Sequence, residues 1–334
     1  MTTLRYPADG AVILTETDRQ RAFRNSSREQ ISPDRIDWLN LERKGEDFSF
    51  PAPAEFRWET DEETSCFLLA EDAAFTDPIV RKTEETHLTM GSLKAGQTYY
   101  WTVNDSEIRT FTTEDTPPRR IAVDGITNVR DNGGWKTADG RRMKQGLIYR
   151  GSEMDTHCSI TGEGIRVMLD ELKIRTDLDI RGEAVGRITE SPLEQRRLPG
   201  KSVDFRLIPV AAYADFLKEE HKPVTKRIFA LLADETAYPI YYHCWGGADR
   251  TGTIAYLLEA LLGVPEEDLI LDYEMTSLSV WGNRMRHSDL FSGFEEELKK
   301  YDEDGTPQSR AEKYLLSCGV MPETIAKLRR NLLE

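Results

Sequence analysis

The sequence predicts two architectures in one chain: an all-β sandwich at the front, then an α/β domain whose mainly parallel sheet is flanked by helices. Three observations predict it. At 334 residues the chain exceeds what one ordinary core accommodates. Apolar residues alternate at period two before about residue 113, whereas further on short β-rich runs take turns with stretches of period three and four. Between them lies TEDTPPRR (113–120), with paired prolines and no apolar period. That is a linker composition, and it divides the chain into 1–116 and 117–334.

In the front part the runs AEFRWE, CFLLAED, THLTMGSL, QTYYWTV and IRTFTT are short, alternating and separated by polar or glycine turns, which predicts strands. AVILTE supplies a first strand, and NSSREQISPDR reads as loop. In LKAGQTYYWTV a Leu and a Gly turn precede Tyr99 as it enters a strand, which resembles the tyrosine corner of fibronectin type III domains and related sandwiches. Trp58 is then the buried tryptophan of an early strand. An unrelated antiparallel sheet is the alternative.

In the second part LIYRG, IRTDLDIRG, FRLIPV and YPIYYHC are β-rich runs. They are separated by helical stretches: TGEGIRVMLDELKI with Thr161 as its cap, FLKEEHKPVTKRIFALLADE, and RTGTIAYLLEALLG. Strand–helix alternation implies parallel pairing with helices on both faces. Beyond Gly263 the chain reads as wholly helical.

Composition narrows the function classes. The formal charge is −15, most of it contributed before residue 118, and no basic stripe interleaved with aromatics offsets it. Nucleic acid is a poor partner for such a field. The N-terminus lacks a basic region followed by an apolar run, and nowhere do 18 apolar residues run together, so a cytoplasmic protein without a transmembrane segment is expected. Four cysteines without a CxxC pair fit neither a disulfide framework nor a zinc site. No His/Asp/Glu cluster has ligand spacing, so neither metal nor cofactor is expected.

Residues 241–252 read YYHCWGGADRTG. An apolar strand before and an amphipathic helix after make CWGGADR a strand-to-helix loop at the carboxyl end of a parallel strand, where open α/β sheets bind ligands. Successive loop amides and the helix dipole favour an anion there. Gly246 and Gly247 leave the concavity free of side chains, so Trp245, Gly246, Gly247 and Ala248 contribute backbone to phosphate binding. At the bottom of the cup, Cys244 lies in a setting that favours thiolate over thiol. Arg250, at the first helical turn, can hold two oxygens of a tetrahedral anion bidentately.

This C-x5-R-T arrangement resembles the signature loop of the cysteine-dependent phosphatases, the protein tyrosine and dual-specificity superfamily. It is most similar to the bacterial branch whose loop reads HCxxGxDRTG. NVRDNGGWKTADGRRMKQGLIYRG (128–151), TDLDIRGE and DYEMTSLS (272–279) resemble further segments of that branch. His157–Cys158 serves as a control, because the sixth residue after that cysteine is Gly164. The resemblance covers about 119–334 and implies the cysteine-phosphatase fold, Cys244 as nucleophile, Arg250 as clamp and Asp249 as general acid and then base. Asp215, just after FRLIPV, is the rival acid, since many relatives carry theirs on a loop after such a strand. His243 orients the loop and helps hold the thiolate, and Thr251 is a candidate hydrogen-bond donor to the sulfur. Arg130 and Asp131 are candidates for rim or loop-bracing residues, with a purely structural turn as the alternative. Asp179 and Arg181 brace the fold.

The expected function is phosphomonoester hydrolysis through a cysteinyl phosphate, with a phosphorylated protein or small phosphomonoester as partner. Phosphoinositide or inositol phosphate hydrolysis, and phosphate binding by a non-catalytic pseudophosphatase, are the alternatives. Sulfur or arsenate chemistry of the rhodanese kind is a further competitor, although such loops do not require the RTG continuation. Trp245 and Ala248 stand where relatives selective for phosphoinositides tend to have lysine, which favours singly phosphorylated aromatic substrates. The front domain is expected to dock beside the catalytic one or to bind a protein partner.

Overall fold

The computed structural model describes residues 1–26, 46–194 and 203–334. From Ser27 onward the NSSREQISPDR stretch lies outside the described residues. In the front part, β1 (Thr3–Tyr6), β3 (Ala54–Glu59) and β6 (His87–Met90) pair antiparallel in the order β1-β3-β6. A second sheet runs β2-β8-β7-β4-β5 from β2 (Ala11–Ile13), β4 (Ser65–Ala70), β5 (Ile79–Thr83), β7 (Thr98–Val103) and β8 (Arg109–Thr113). In β3 burial alternates residue by residue, as a strand with one face on a core requires. The inward residues form an aromatic cluster in which Phe56 meets Phe67, Trp101 and Phe111 edge-on, at centroid distances of 4.9, 5.3 and 5.5 Å. Trp58 is buried there too, and the Tyr99 hydroxyl accepts a hydrogen bond from Lys94 N at 2.8 Å.

The front part also contains a helix, α1 (Asp18–Arg24), where the sequence suggested only strand and loop. Thr17 and Gln20 form a reciprocal capping box at its start, and Phe23 packs on Met275, Leu278 and Met285 from the second half. The linker reading of 113–120 also changes at its basic end. Arg119 and Arg120 are buried, paired with Asp131 at 3.1 Å and with Glu16 at 2.9 Å. Partners distant in sequence draw in charges that composition alone assigned to solvent.

The second sheet system has the order β12-β11-β13-β10-β9, built from β9 (Arg130–Asp131), β10 (Ile148–Gly151), β11 (Thr176–Asp179), β12 (Asp204–Leu207) and β13 (Ile240–His243). Its first four strands are parallel and β9 is an antiparallel edge. Register aligns Gly151, Asp179 and His243, so the loops leaving β10, β11 and β13 open at one edge. Helices α2 (Gly162–Arg166), α3 (Tyr213–Phe216), α4 (Lys222–Leu232), α5 (Asp249–Leu262), α6 (Glu266–Met275), α7 (Asp289–Lys299), α8 (Pro307–Ser317) and α9 (Pro322–Leu332) complete the chain. Thr161 caps α2 by accepting from Gly164 N, and the helix widens into a π turn over Val167–Glu171 instead of running on. In α5 every residue from Thr251 to Leu262 is buried, which makes it the central helix of the larger core.

Candidate active site

Strand β13 is buried along its whole length, and Cys244 follows it at 4% exposure. The next four residues turn into α5, whose first residue is Asp249. The carbonyl oxygens of Cys244 to Gly247 are held from behind. Cys244 O lies 3.3 Å from His243 Nδ1, and Trp245 O accepts from Glu153 N at 3.0 Å. Asn128 Nδ2 donates to Gly246 O at 3.0 Å and Gly247 O at 3.2 Å, and Arg150 Nη2 donates to Gly247 O at 2.8 Å. In a trans peptide N–H and C=O point opposite ways, so carbonyls fixed outward turn the following amides into the cup. Ala248 makes no side-chain cap at the start of α5, which leaves that helix end open to an anion.

Both loop glycines are required by close approach. Gly247 has φ 64°, and a Cβ there would lie 2.3 Å from Gly151 O. A Cβ on Gly246 would fall 2.5 Å from the Trp281 ring.

The braces behind the loop are charged and buried. Asp272 accepts from Arg130 Nε at 2.8 Å and from Arg150 Nη1 at 2.7 Å, while Arg130 Nη1 donates to Asn128 Oδ1 at 2.5 Å. Arg130 therefore sits behind the loop, 2% exposed, rather than on its rim. Asp131 accepts from Gly133 N at 2.8 Å, from Gly146 N at 2.7 Å and from Arg119, and so fixes a turn. Burial would lower the pKa of His243, but Asp177 Oδ1 at 3.1 Å outweighs it and pushes it up to about 9. The ring is thus held as imidazolium at neutral pH, against the Cys244 carbonyl. Thr251 is fully buried, and its hydroxyl makes no hydrogen bond.

At the mouth, Arg250 donates from both Nη atoms to Glu183, at 2.7 Å each. This hydrogen bonding, stronger than the opposing effect of burial, pushes the Glu183 carboxyl down to about 2. Trp245 is half-buried, with its Nε1 3.2 Å from Glu183 Oε2, its ring under the Arg181 guanidinium at 4.8 Å and its edge against His157 at 4.9 Å. Arg181 is itself clasped by Asp179 at 2.7 Å and Asp155 at 2.9 Å. Asp249 is held by Arg284, Nε to Oδ1 at 2.7 Å and Nη2 to Oδ2 at 2.8 Å, and Tyr213 Oη donates to Oδ1. Burial would raise its pKa, but the Arg284 hydrogen bonds and charge bring it below the ordinary carboxylate value. Asp215 is exposed on α3 and pairs with Lys218 at 2.6 Å, whereas Tyr213 of the same helix makes the contact to Asp249.

The cup and its clamp were legible as contiguous residues. Asn128, Arg150, Asp177, Glu183, Tyr213 and Trp281 were not singled out, and Arg284 was expected only as one of several basic residues that could line the rim. Among these Asn128, Arg150, Asp177 and Glu183 lie inside segments whose resemblance pointed to the site. Among the described residues no group of three His, Cys, Asp or Glu could hold a metal ion, and no helix is long and apolar enough to cross a membrane.

A cysteine preceded by a buried, ion-paired histidine, in a loop of inward amides with an arginine at its mouth, has the form of the phosphate-binding loop of cysteine-dependent phosphatases. The chain belongs to the tyrosine phosphatase family, whose model matches residues 121–334. A protein of Cupriavidus necator that carries the name of a tyrosine-protein phosphatase is 29% identical over an alignment of 177 positions that covers 46% of this chain and 61% of that one. A tyrosine-protein phosphatase of Nostoc commune is 35% identical over 66 residues, 20% of this chain and 22% of its own length. The chain thus spans less than two thirds of the curated relatives it matches. Among solved structures, the core catalytic domain of the PP-IP phosphatase SIW14 of S. cerevisiae overlaps at a TM-score of 0.35 and 16% identity, covering 57% of this chain and 94% of that domain.

Proposed function

We propose that this protein hydrolyses phosphomonoesters through a cysteinyl phosphate. The supporting observation is the loop Cys244–Gly247, whose carbonyls are engaged from behind, so that the amides following them face a cup between Cys244 and the mouth where Arg250 stands. Cys244 Sγ attacks phosphorus, the bond to the leaving oxygen breaks, and Asp249 supplies that oxygen with a proton. Water then attacks the phosphorus, loses a proton to Asp249 and displaces the Sγ as thiolate. Arg250 leaves Glu183 for two equatorial oxygens, and the unpartnered Thr251 hydroxyl donates to the departing sulfur. His243 braces the loop at the Cys244 carbonyl.

The half-buried Trp245 and the neighbouring His157 and Trp281 rings, packed edge to face, offer an aromatic border, which favours a phosphotyrosine side chain over a polyphosphorylated ring. In this reading residues 117–334 carry the chemistry, and 1–116 form a sandwich-bearing unit that buttresses them. Cys244→Ser should abolish turnover of phosphotyrosine peptide while retaining binding of inorganic phosphate; residual turnover of the variant would refute the covalent scheme. A kcat/KM advantage for a soluble phosphatidylinositol bisphosphate over the peptide, at one ionic strength, would overturn the substrate preference.

A further inference from the structure

Both oxygens of Asp249 are already taken by donors. Oδ1 accepts from Arg284 Nε and from Tyr213 Oη, and Oδ2 accepts from Arg284 Nη2. With Oδ1 filled by two donors, a proton finds room only at the remaining lone pair of Oδ2, beside the Arg284 Nη2 at 2.8 Å, where the guanidinium charge disfavours it, so the clasped carboxyl holds poorly the proton that the leaving oxygen needs. The groups facing it are Arg284 from the segment after α6, Tyr213 from α3, with Tyr273 of α6 behind it at 3.1 Å, and Arg250 from α5. Arg284 is also pinned at its backbone, where its N donates to Ser277 Oγ at 2.8 Å and its O accepts from the same hydroxyl at 2.9 Å. Its Nη1 lies 3.3 Å from Trp281 O and 3.1 Å from Asn283 O. With that backbone fixed, Arg284 can release Asp249 by a swing of its side chain alone.

We propose that Arg284 is a positioning residue that restrains acid catalysis: Asp249 carries a proton for the leaving oxygen only when the Arg284 guanidinium has swung off its carboxylate. This rests on the reading of Asp249 as the acid. In the second half-reaction the clasp has the opposite value, because it favours the ionised carboxylate that accepts a proton from water. Slow alkyl leaving groups wait for the swing; activated aryl leaving groups need no proton and bypass it.

The test uses the full chain with an alkyl phosphate and a 4-nitrophenyl phosphate, comparing wild type, R284Q, R284K and Y213F. An arginine beside an aspartate lowers its pKa by about 1–3 units, so R284Q should move the basic limb of the alkyl-phosphate kcat profile up by about one pH unit or more. At neutral pH its alkyl-to-aryl rate ratio should rise about tenfold or more, a pH unit being tenfold in the protonated fraction. R284K, which keeps the cation but not the two-oxygen grip, should shift the limb in the same direction by less than R284Q. Y213F, which loses one neutral donor, should shift the limb in the same direction by less, and it serves if R284Q melts too low to assay. An unmoved limb in both R284Q and Y213F, or equal losses on both substrates, overturns the inference. Asp249→Asn separates it from the reading beneath. If that variant harms both substrates alike, Asp249 is not the acid and both ideas fail. If it harms the alkyl ester selectively while the limb stays fixed in R284Q and Y213F, only the restraint fails.

Discussion

His243 carries its charge in a place where burial alone would remove it, and Asp177 is the reason. Its folded pKa of about 9 stands above the ordinary 6.5. The ion pair therefore contributes stability that is complete below about pH 6.5 and is lost as pH rises through 9, a contribution on the order of 3 kcal/mol. Asp177→Asn should lower Tm most near pH 6.5, and the gap to wild type should narrow toward pH 9; a gap that widens with pH would contradict this. Asp249 makes a second prediction at the same scale. Its replacement by Asn should slow an alkyl phosphate by about 10²–10⁴-fold, the usual worth of a positioned proton donor, and an activated aryl phosphate far less. The corresponding Asp215→Asn variant, whose carboxylate meets only Lys218 among the contacts described above, should leave that discrimination intact.

The signature loop shows how a short element can be readable from sequence while its supports are not. Cys244 to Thr251 are consecutive, and a strand before and a helix after them could be inferred from apolar runs alone. Likewise AEFRWE became β3 with the bounds its alternation implied. What escaped was either too short to show a period or tertiary in origin. The seven residues of α1 span two turns, so only the Thr17/Gln20 capping box could have announced it. β9 is two residues long. Glu183 and Arg284 become site residues only when loops 67 and 35 positions away from their partners meet. Gly247 tests the element itself. Gly247→Ala places a Cβ 2.3 Å from Gly151 O at a φ of 64°, so the loop must shift. A stability loss of about 1–3 kcal/mol from the strained backbone is expected, together with loss of vanadate affinity. Unchanged vanadate binding would show that the cup tolerates the shift.

Across the whole molecule, a continuous set of contacts runs from the front helix to the phosphate loop. Gln20 Nε2 of α1 donates to Phe48 O at 2.7 Å and to Phe50 O at 2.5 Å. Phe48 N donates to Leu278 O at 2.8 Å, and the buried Ser49 Oγ accepts from Asn128 N at 3.0 Å. Asn128 in turn holds Gly246 and Gly247. Phe23→Ala, at a position with no exposed surface, should cost about 3–5 kcal/mol, the usual range for emptying a buried phenylalanine site. Its Tm should fall accordingly, and kcat/KM for the surviving folded enzyme should fall with it if the front helix steadies the loop. An enzyme with lower Tm and intact kcat/KM would confine the helix to stability. The matched family segment starts at residue 121, yet Ser49, which anchors Asn128, precedes it by more than seventy positions. Cutting the chain at 117 would strip Phe23 from Met275, Leu278 and Met285 and leave an oily scar on the catalytic half. The fragment should therefore bind a hydrophobic dye and self-associate, and adding back the front half as a separate chain should suppress both.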